Sequence, residues 1–291
     1  MSEPAPARLA VRGLRVELPD GRVLIDDLSL SLAPGEVAVL LGGSGAGKST
    51  FARVLFERAE LDDAGFHVEA ETIELDRSQL GLVPQRGALF DHLDVAGNIA
   101  LALRYAEVPD GDPGTWLARV GLGPEVAKPG VAVGSLSGGQ AQRVAVARVL
   151  ASGRRLLFLD EPSVGLDPHR VRQLARLIRQ QVEALGAAAI VVTHDVALAA
   201  GVADALYLLS LEDRKLERLF PDDWPGPVER EGIDDATRGR WLLALEDALV
   251  DHLETHGDTP PPRREARGRA FLHRLAERAA PLTRPFAVAA W

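Results

Sequence analysis

The stretch Gly42-Gly43-Ser44-Gly45-Ala46-Gly47-Lys48-Ser49-Thr50 confines the fold more tightly than any other part of this sequence. It follows an apolar, β-branched run at residues 36–41 (EVAVLL), set off by a Pro34-Gly35 turn, and it precedes Phe51, Val54 and Leu55 at helical spacing. Strand, glycine-rich loop and helix start are the context that the G-x-x-x-x-G-K-S/T pattern requires. Glycines let the backbone fold tightly enough to aim N–H groups at phosphate oxygens, and the helix N-terminus adds a favourable partial charge. Lys48 is then placed to reach β- and γ-phosphates, and Ser49 to hold Mg²⁺.

Composition narrows the class. The 291 residues allow one large domain with an appendage, or two domains. A formal net charge of −9 argues against nucleic-acid binding through a basic surface. With no cysteine there is neither a disulfide framework nor a thiolate metal site. No apolar run approaches the roughly 18 residues of a spanning helix, and residues 1–6 lack the pattern of a signal peptide, so a cytoplasmic address is expected. Only Lys48, Lys128 and Lys215 are lysines in an arginine-rich chain, which marks Lys48 as a place that needs an ammonium.

A second apolar strand is expected at residues 155–159 (RLLFL), ending in Asp160-Glu161-Pro162. Two carboxylates at a strand's carboxyl end, beside a parallel neighbour carrying the phosphate loop, lie where ligands bind in open α/β sheets. Asp160 suits the Mg²⁺ shell, and Glu161 suits the base that polarises an attacking water.

Between these two strands stands Leu136-Ser137-Gly138-Gly139-Gln140, followed by a helical pattern through Arg148. A phosphate loop, then LSGGQ, then a strand ending in Asp-Glu resembles the ATP-binding cassette (ABC) ATPases. The remaining stations of that family have counterparts in order. Gln85 in LGLVPQ looks like the Q-loop glutamine, residues 163–167 (SVGLD) with Asp167 like the D-loop, and His194 in VVTHD like the switch histidine.

The resemblance spans about residues 8–220 and implies an α/β fold: a P-loop ABC ATPase core with a β subdomain and an inserted α-helical subdomain at about residues 86–150. A helical extension is expected to follow over residues 221–291. The resemblance implies ATP and Mg²⁺ as cofactors, with Ser49, Gln85 and Asp160 around the metal and Glu161, His194 and Gln85 acting in catalysis. It also implies that residues 136–140 cap the nucleotide of the opposite cassette in a head-to-tail dimer. Ser137 and the glycine N–H groups suit that role, since they form an anion site without a lysine. The implied setting is the cytoplasmic face of a membrane, on an integral permease.

Two places depart from the family pattern. Cassettes usually stack an aromatic ring on adenine after their first strand, and alignment of residues 14–21 (LRVELPDG) puts Leu18 there as a weaker aliphatic contact. Residues 56–76 do not give the usual glycine-turned hairpin. After Gln85 comes Arg86-Gly87-Ala88-Leu89-Phe90, which resembles cassettes of bacterial lipid-trafficking systems of the mammalian-cell-entry type. The alternative, an ABC ATPase acting on DNA or ribosomes, is disfavoured. Only 88 residues separate Lys48 from Leu136, without sustained heptads, and the chain holds one set of stations.

Past Phe220 the composition shifts at Pro221, Pro225, Gly226 and Pro227. Residues 221–258 carry net charge −8 with Trp241, Leu242, Leu245, Leu249 and Leu253 at helical spacing, an expected amphipathic helix packed on the cassette or its mate. His252 and His256 on it read either as a metal pair or as two solvated histidines. Residues 259–291 carry net charge +5, with Phe271, Leu272, Leu275 and Ala279 on one face. This basic segment reads as a helix for an anionic membrane surface, as a partner-docking helix, or as a solvated tail.

Overall fold

The computed structural model describes residues 8–43, 45–85, 89–106, 111–219, 226 and 245. Two sheets organise them. The first is antiparallel and combines β1 (Leu9–Glu17), β2 (Val23–Leu32), β4 (His67–Glu69) and β5 (Thr72–Leu75). The second contains β3 (Val37–Leu41), β6 (Leu80–Val83), β7 (Leu156–Asp160), β8 (Ala188–Val192), β9 (Ala205–Leu209) and β10 (Leu216–Leu219). Its order is β10-β9-β3-β8-β7-β6, parallel except for β10.

The central strands β3, β7 and β8 are buried along their whole length, as parallel strands covered on both faces must be. Alternation then divides them between two cores. Ala38, Leu40, Leu156, Phe158 and Ile190 face the antiparallel sheet and α1 (Lys48–Phe56). Val37, Val39, Leu157, Leu159 and Val191 face a helical layer. That layer holds α3 (Val95–Arg104), α4 (Pro113–Arg119), α5 (Gly138–Ala151), α6 (Pro168–Leu185) and α7 (Val196–Val202).

The expectation that β7 lies directly beside β3 is corrected: β8 stands between them. The two strand ends still serve one site because α1 leans across β8. Phe51 and Phe56 meet Phe158 of β7 edge to face, with ring centroids 6.3 and 6.4 Å apart.

Residues 56–76 hold a short helix, α2 (Arg58–Asp63), and then β4 and β5 end to end along one edge of β1. The edge is broken where Gly13 adopts φ 58 and the β1–β2 register shifts between Val11 and Leu14. A Cβ at Gly13 would lie 3.0 Å from Cγ of Glu71, one of the two residues between β4 and β5.

Among the described residues, no helix is long and apolar enough to cross a membrane. Residues 220–291 lie outside the described residues apart from Gly226 and Leu245, and so do the expected acidic and basic helices, the pair His252 and His256, and Gly87 and Ala88. Leu245 itself is fully buried in the core that faces the helical layer.

Candidate active site

The phosphate loop is a sharp backbone reversal between β3 and α1. Gly42 has φ 148, and a Cβ there would stand 2.7 Å from the Leu209 carbonyl oxygen, a backbone atom that cannot yield. Gly47 caps α1 at φ 101, with its Cα hydrogens against Leu24 and Ile25 of β2. Gly45 is exposed, Ala46 is buried, Ser49 and Thr50 lie in the first turn of α1, and Ser44 is outside the described residues. Lys48 Nζ donates to the carbonyls of Gly42 and Gly43 at 2.7 and 2.8 Å. Burial pushes the Lys48 ammonium below its ordinary value, while the Glu161 and Asp160 carboxylates pull it back up.

Asp160 closes β7, and its carboxylate accepts from Ser49 Oγ at 3.5 Å. Its pKa is raised, first by burial and then by the charge of Glu161, with Lys48 and Ser49 opposing. Glu161 follows at φ 50, a left-handed conformation that non-glycine residues seldom take and that points to a functional constraint. Three contacts with the end of β8 and the residues after it hold Glu161 there. Its N–H donates to the Val192 carbonyl at 2.9 Å. Oε1 lies 2.8 Å from Nδ1 of His194, and Oε2 accepts from Thr193 Oγ1 at 3.4 Å. The His194 ring is 80% exposed whereas the Glu161 side chain is 11% exposed, so a buried carboxylate is held by a group that can reach solvent.

Gln85 is exposed and lies two residues past the end of β6, the strand paired with β7. Gln142 joins these two strand ends: it is 8% exposed, and its Nε2 donates to the carbonyls of Pro84 at 3.3 Å and Asp160 at 3.5 Å. In the sequence Gln142 looks like one more position of a helix, and only the packing reveals its place.

Ser137 is the N-cap of α5 in a reciprocal capping box with Gln140. Ser137 and Gly138 are exposed, and Leu136 packs partly against the core. Among the described residues, the hydrogen bonds that join Lys48, Ser49, Asp160, Glu161 and His194 to one another and to the loop carbonyls include none from residues 136–140. Asp167 caps α6, accepting from the N–H groups of His169 and Arg170. Leu18 is half-buried and closes the β1–β2 turn, donating to the Arg22 carbonyl and accepting from Gly21. The strand leaving that turn packs on the phosphate loop through Leu24 and Ile25.

Among the described residues no group of three His, Cys, Asp or Glu side chains could hold a metal. The donor set nevertheless fits Mg²⁺, which takes few protein ligands, all hard oxygens, and keeps the rest for water and phosphate. A hydroxyl and a buried carboxylate already 3.5 Å apart, with a second carboxylate raising the first one's pKa, form such a set.

The ABC transporter family profile matches residues 25–164. The methionine import ATP-binding protein MetN of Xanthomonas axonopodis pv. citri is 37% identical over 256 residues, which cover 82% of this chain and 72% of that protein. The chain belongs to the ABC transporter family. A second relative of this ABC cassette is the ABC transporter ATP-binding/permease protein Rv1747 of Mycobacterium tuberculosis, 37% identical over 267 residues, or 87% of this chain and 30% of that protein. The chain spans about a third of the length of such ATP-binding/permease relatives. Among solved structures, the dimeric post-hydrolysis state of the ATP-binding cassette MJ0796 bound to ADP and phosphate matches with TM-score 0.58 at 22% identity. It covers 72% of this chain and 97% of that one, and establishes the likeness of fold.

Proposed function

We propose that this ABC cassette is the ATP-hydrolysing subunit of a transporter, working as a head-to-tail cassette dimer on the cytoplasmic face of a membrane permease. The observation that carries the reading is the grip on Glu161, whose carboxylate meets His194 Nδ1 at 2.8 Å beside Asp160 and Lys48. Loop N–H groups and Lys48 bind the β- and γ-phosphates. Ser49, Asp160 and Gln85 hold Mg²⁺, which when bound neutralises charge on the phosphates. Glu161 takes a proton from the attacking water, and His194 keeps the carboxylate aimed at it. Exposed Ser137 and Gly138 cap the γ-phosphate held by the partner, and Leu18 touches adenine.

For the cargo we propose lipid. Its support is the sequence after Gln85, where Phe90 is exposed on the helical layer. The relatives' names point to other cargo, methionine import among them. Mixing two inactive chains tests the dimer. Ser137→Arg spoils the capping half and Lys48→Ala the phosphate half, so a mixed dimer keeps one intact composite site. Phosphate release from ATP should appear only on mixing. A mixture as inactive as its components would refute the composite site.

A further inference from the structure

Two guanidinium groups converge on one carbonyl within the helical layer, where the end of α4 meets α5 and α6. Arg143 Nη1 donates to the Gly121 oxygen at 2.8 Å, and Arg170 Nη1 donates to the same oxygen at 2.6 Å. Gly121 ends α4 at φ 73, with bonds from Gly121 N to Ala118 O and from Leu122 N to Leu117 O. This doubled cap satisfies the last turn and leaves the Gly121 carbonyl outside the helical ladder as an acceptor. A Cβ at Gly121 would lie 3.2 Å from Arg170 Nη1. Like charges this close repel. The Arg143 guanidinium is held below its ordinary value by burial and then by Arg170, while Asp167 acts in the other direction.

Each arginine is also tied to a segment of the site. Arg143 Nε donates to the Gly139 carbonyl at 3.2 Å, one turn back on the helix that Ser137 caps. Arg170 Nε lies 3.1 Å from Oδ2 of Asp167. The two segments touch directly as well, since a Cβ at Gly165 would sit 3.6 Å from the Gly139 Cα. Arg143 and Gly121 both belong to the helical layer's α4–α5 region, so Arg170 of α6 is the member that reaches across from the turn at 163–167.

We infer that Arg170 is a positioning residue that locks α5, the helix carrying the Leu136–Gln140 signature, to the 163–167 turn, so that Ser137 and Asp167 meet a partner cassette as one rigid unit. The inference rests on the composite-dimer reading above. A guanidinium is needed because one planar fork must serve a carboxylate through Nε and a carbonyl through Nη1, which an ammonium cannot do. The α6 cap does not depend on it, since Asp167 accepts from two backbone N–H groups.

The test uses the mixed dimer, in which the Ser137→Arg chain supplies the phosphate half and the Lys48→Ala chain the signature half of the one working site. Arg170→Met is placed in either chain, and ATP hydrolysis is measured. Placed in the signature chain, it should lower the rate roughly tenfold, the scale of a lost charged hydrogen bond. Placed in the phosphate chain, it should leave the rate within about twofold of the parent. Equal losses in the two arms, a loss in the phosphate chain alone, or no loss in either would overturn the proposal. An inactive parent mixture would instead refute the composite site, and the proposal with it. Arg170→Lys, which keeps stem and charge but not the fork, is read in the same two arms should the methionine chain fail to fold.

Discussion

His194 Nδ1 stands 2.8 Å from Glu161 Oε1 across 33 residues of sequence, joining the loop after β8 to the end of β7. The parallel ladder pairs Asp160 with Val192, so the residues that follow emerge side by side whatever lies between them. In the proposed mechanism Glu161→Gln keeps the shape but removes the base. Hydrolysis should fall by at least about a hundredfold, on the scale of general-base catalysis, with ATP affinity within about twofold. His194→Ala should lower turnover with little change in affinity. Measured rates and dissociation constants decide, and near-wild-type hydrolysis by the glutamine chain would remove Glu161 from its role.

Lys48→Ala should act on binding, since in the proposed site the ammonium meets the phosphates as a point charge. Its loss should weaken ATP more than adenosine, which has no phosphate. Equal weakening of ATP and adenosine in a fluorescence titration would mean that Lys48 supports the fold instead.

In the proposed site Leu18 offers adenine an aliphatic surface where a ring could stack. Leu18→Tyr should tighten ATP by about 0.5–1.5 kcal/mol, the usual worth of an aromatic pair beyond area. Calorimetry showing an unchanged dissociation constant would place adenine elsewhere.

Asp94 caps α3 through Gly97 N–H and also accepts from Gly130 N–H, 36 residues on. These two donors, Gly130 first, hold its carboxyl below the ordinary value. A folded-state pKa lowered in this way stabilises above the unfolded value of about 4, and that stabilisation is lost as pH falls through the folded value. Asp94→Ala should cost about 1 kcal/mol at pH 7. The gap between the two chains in urea unfolding should narrow below about pH 4. A gap independent of pH would show that the charge plays no part.

Arg179 and Asp204 form a shielded pair, with side chains 10% and 18% exposed, in which Asp204 Oδ2 also accepts from the Val37 N–H. Arg179→Met removes this guanidinium from beside a shielded carboxylate and should cost about 3–5 kcal/mol. Adding Asp204→Asn removes the carboxylate's charge and should recover part of the loss, because the amide oxygen still serves Val37. Additive losses in a double-mutant cycle would show that the two side chains are not coupled.

What the sequence determined by itself was chemistry written in contiguous residues. The loop at 42–50 needs its glycines next to one another, and residues 136–140 stand directly ahead of a helical run, so both were legible without a fold. The strand at residues 155–159 was legible for the same reason, as a local apolar run. Tertiary structure decided whatever depends on which segments become neighbours. It inserted β8 between β3 and β7, broke the edge of β1 at Gly13, set Gln142 between the carbonyls of Pro84 and Asp160, and brought Arg143 and Arg170 onto Gly121. The physical reason is that a carbonyl partly shielded from water accepts whatever donor the packing delivers. Neither Gly121 nor Pro84 carries a side chain that could have announced the role.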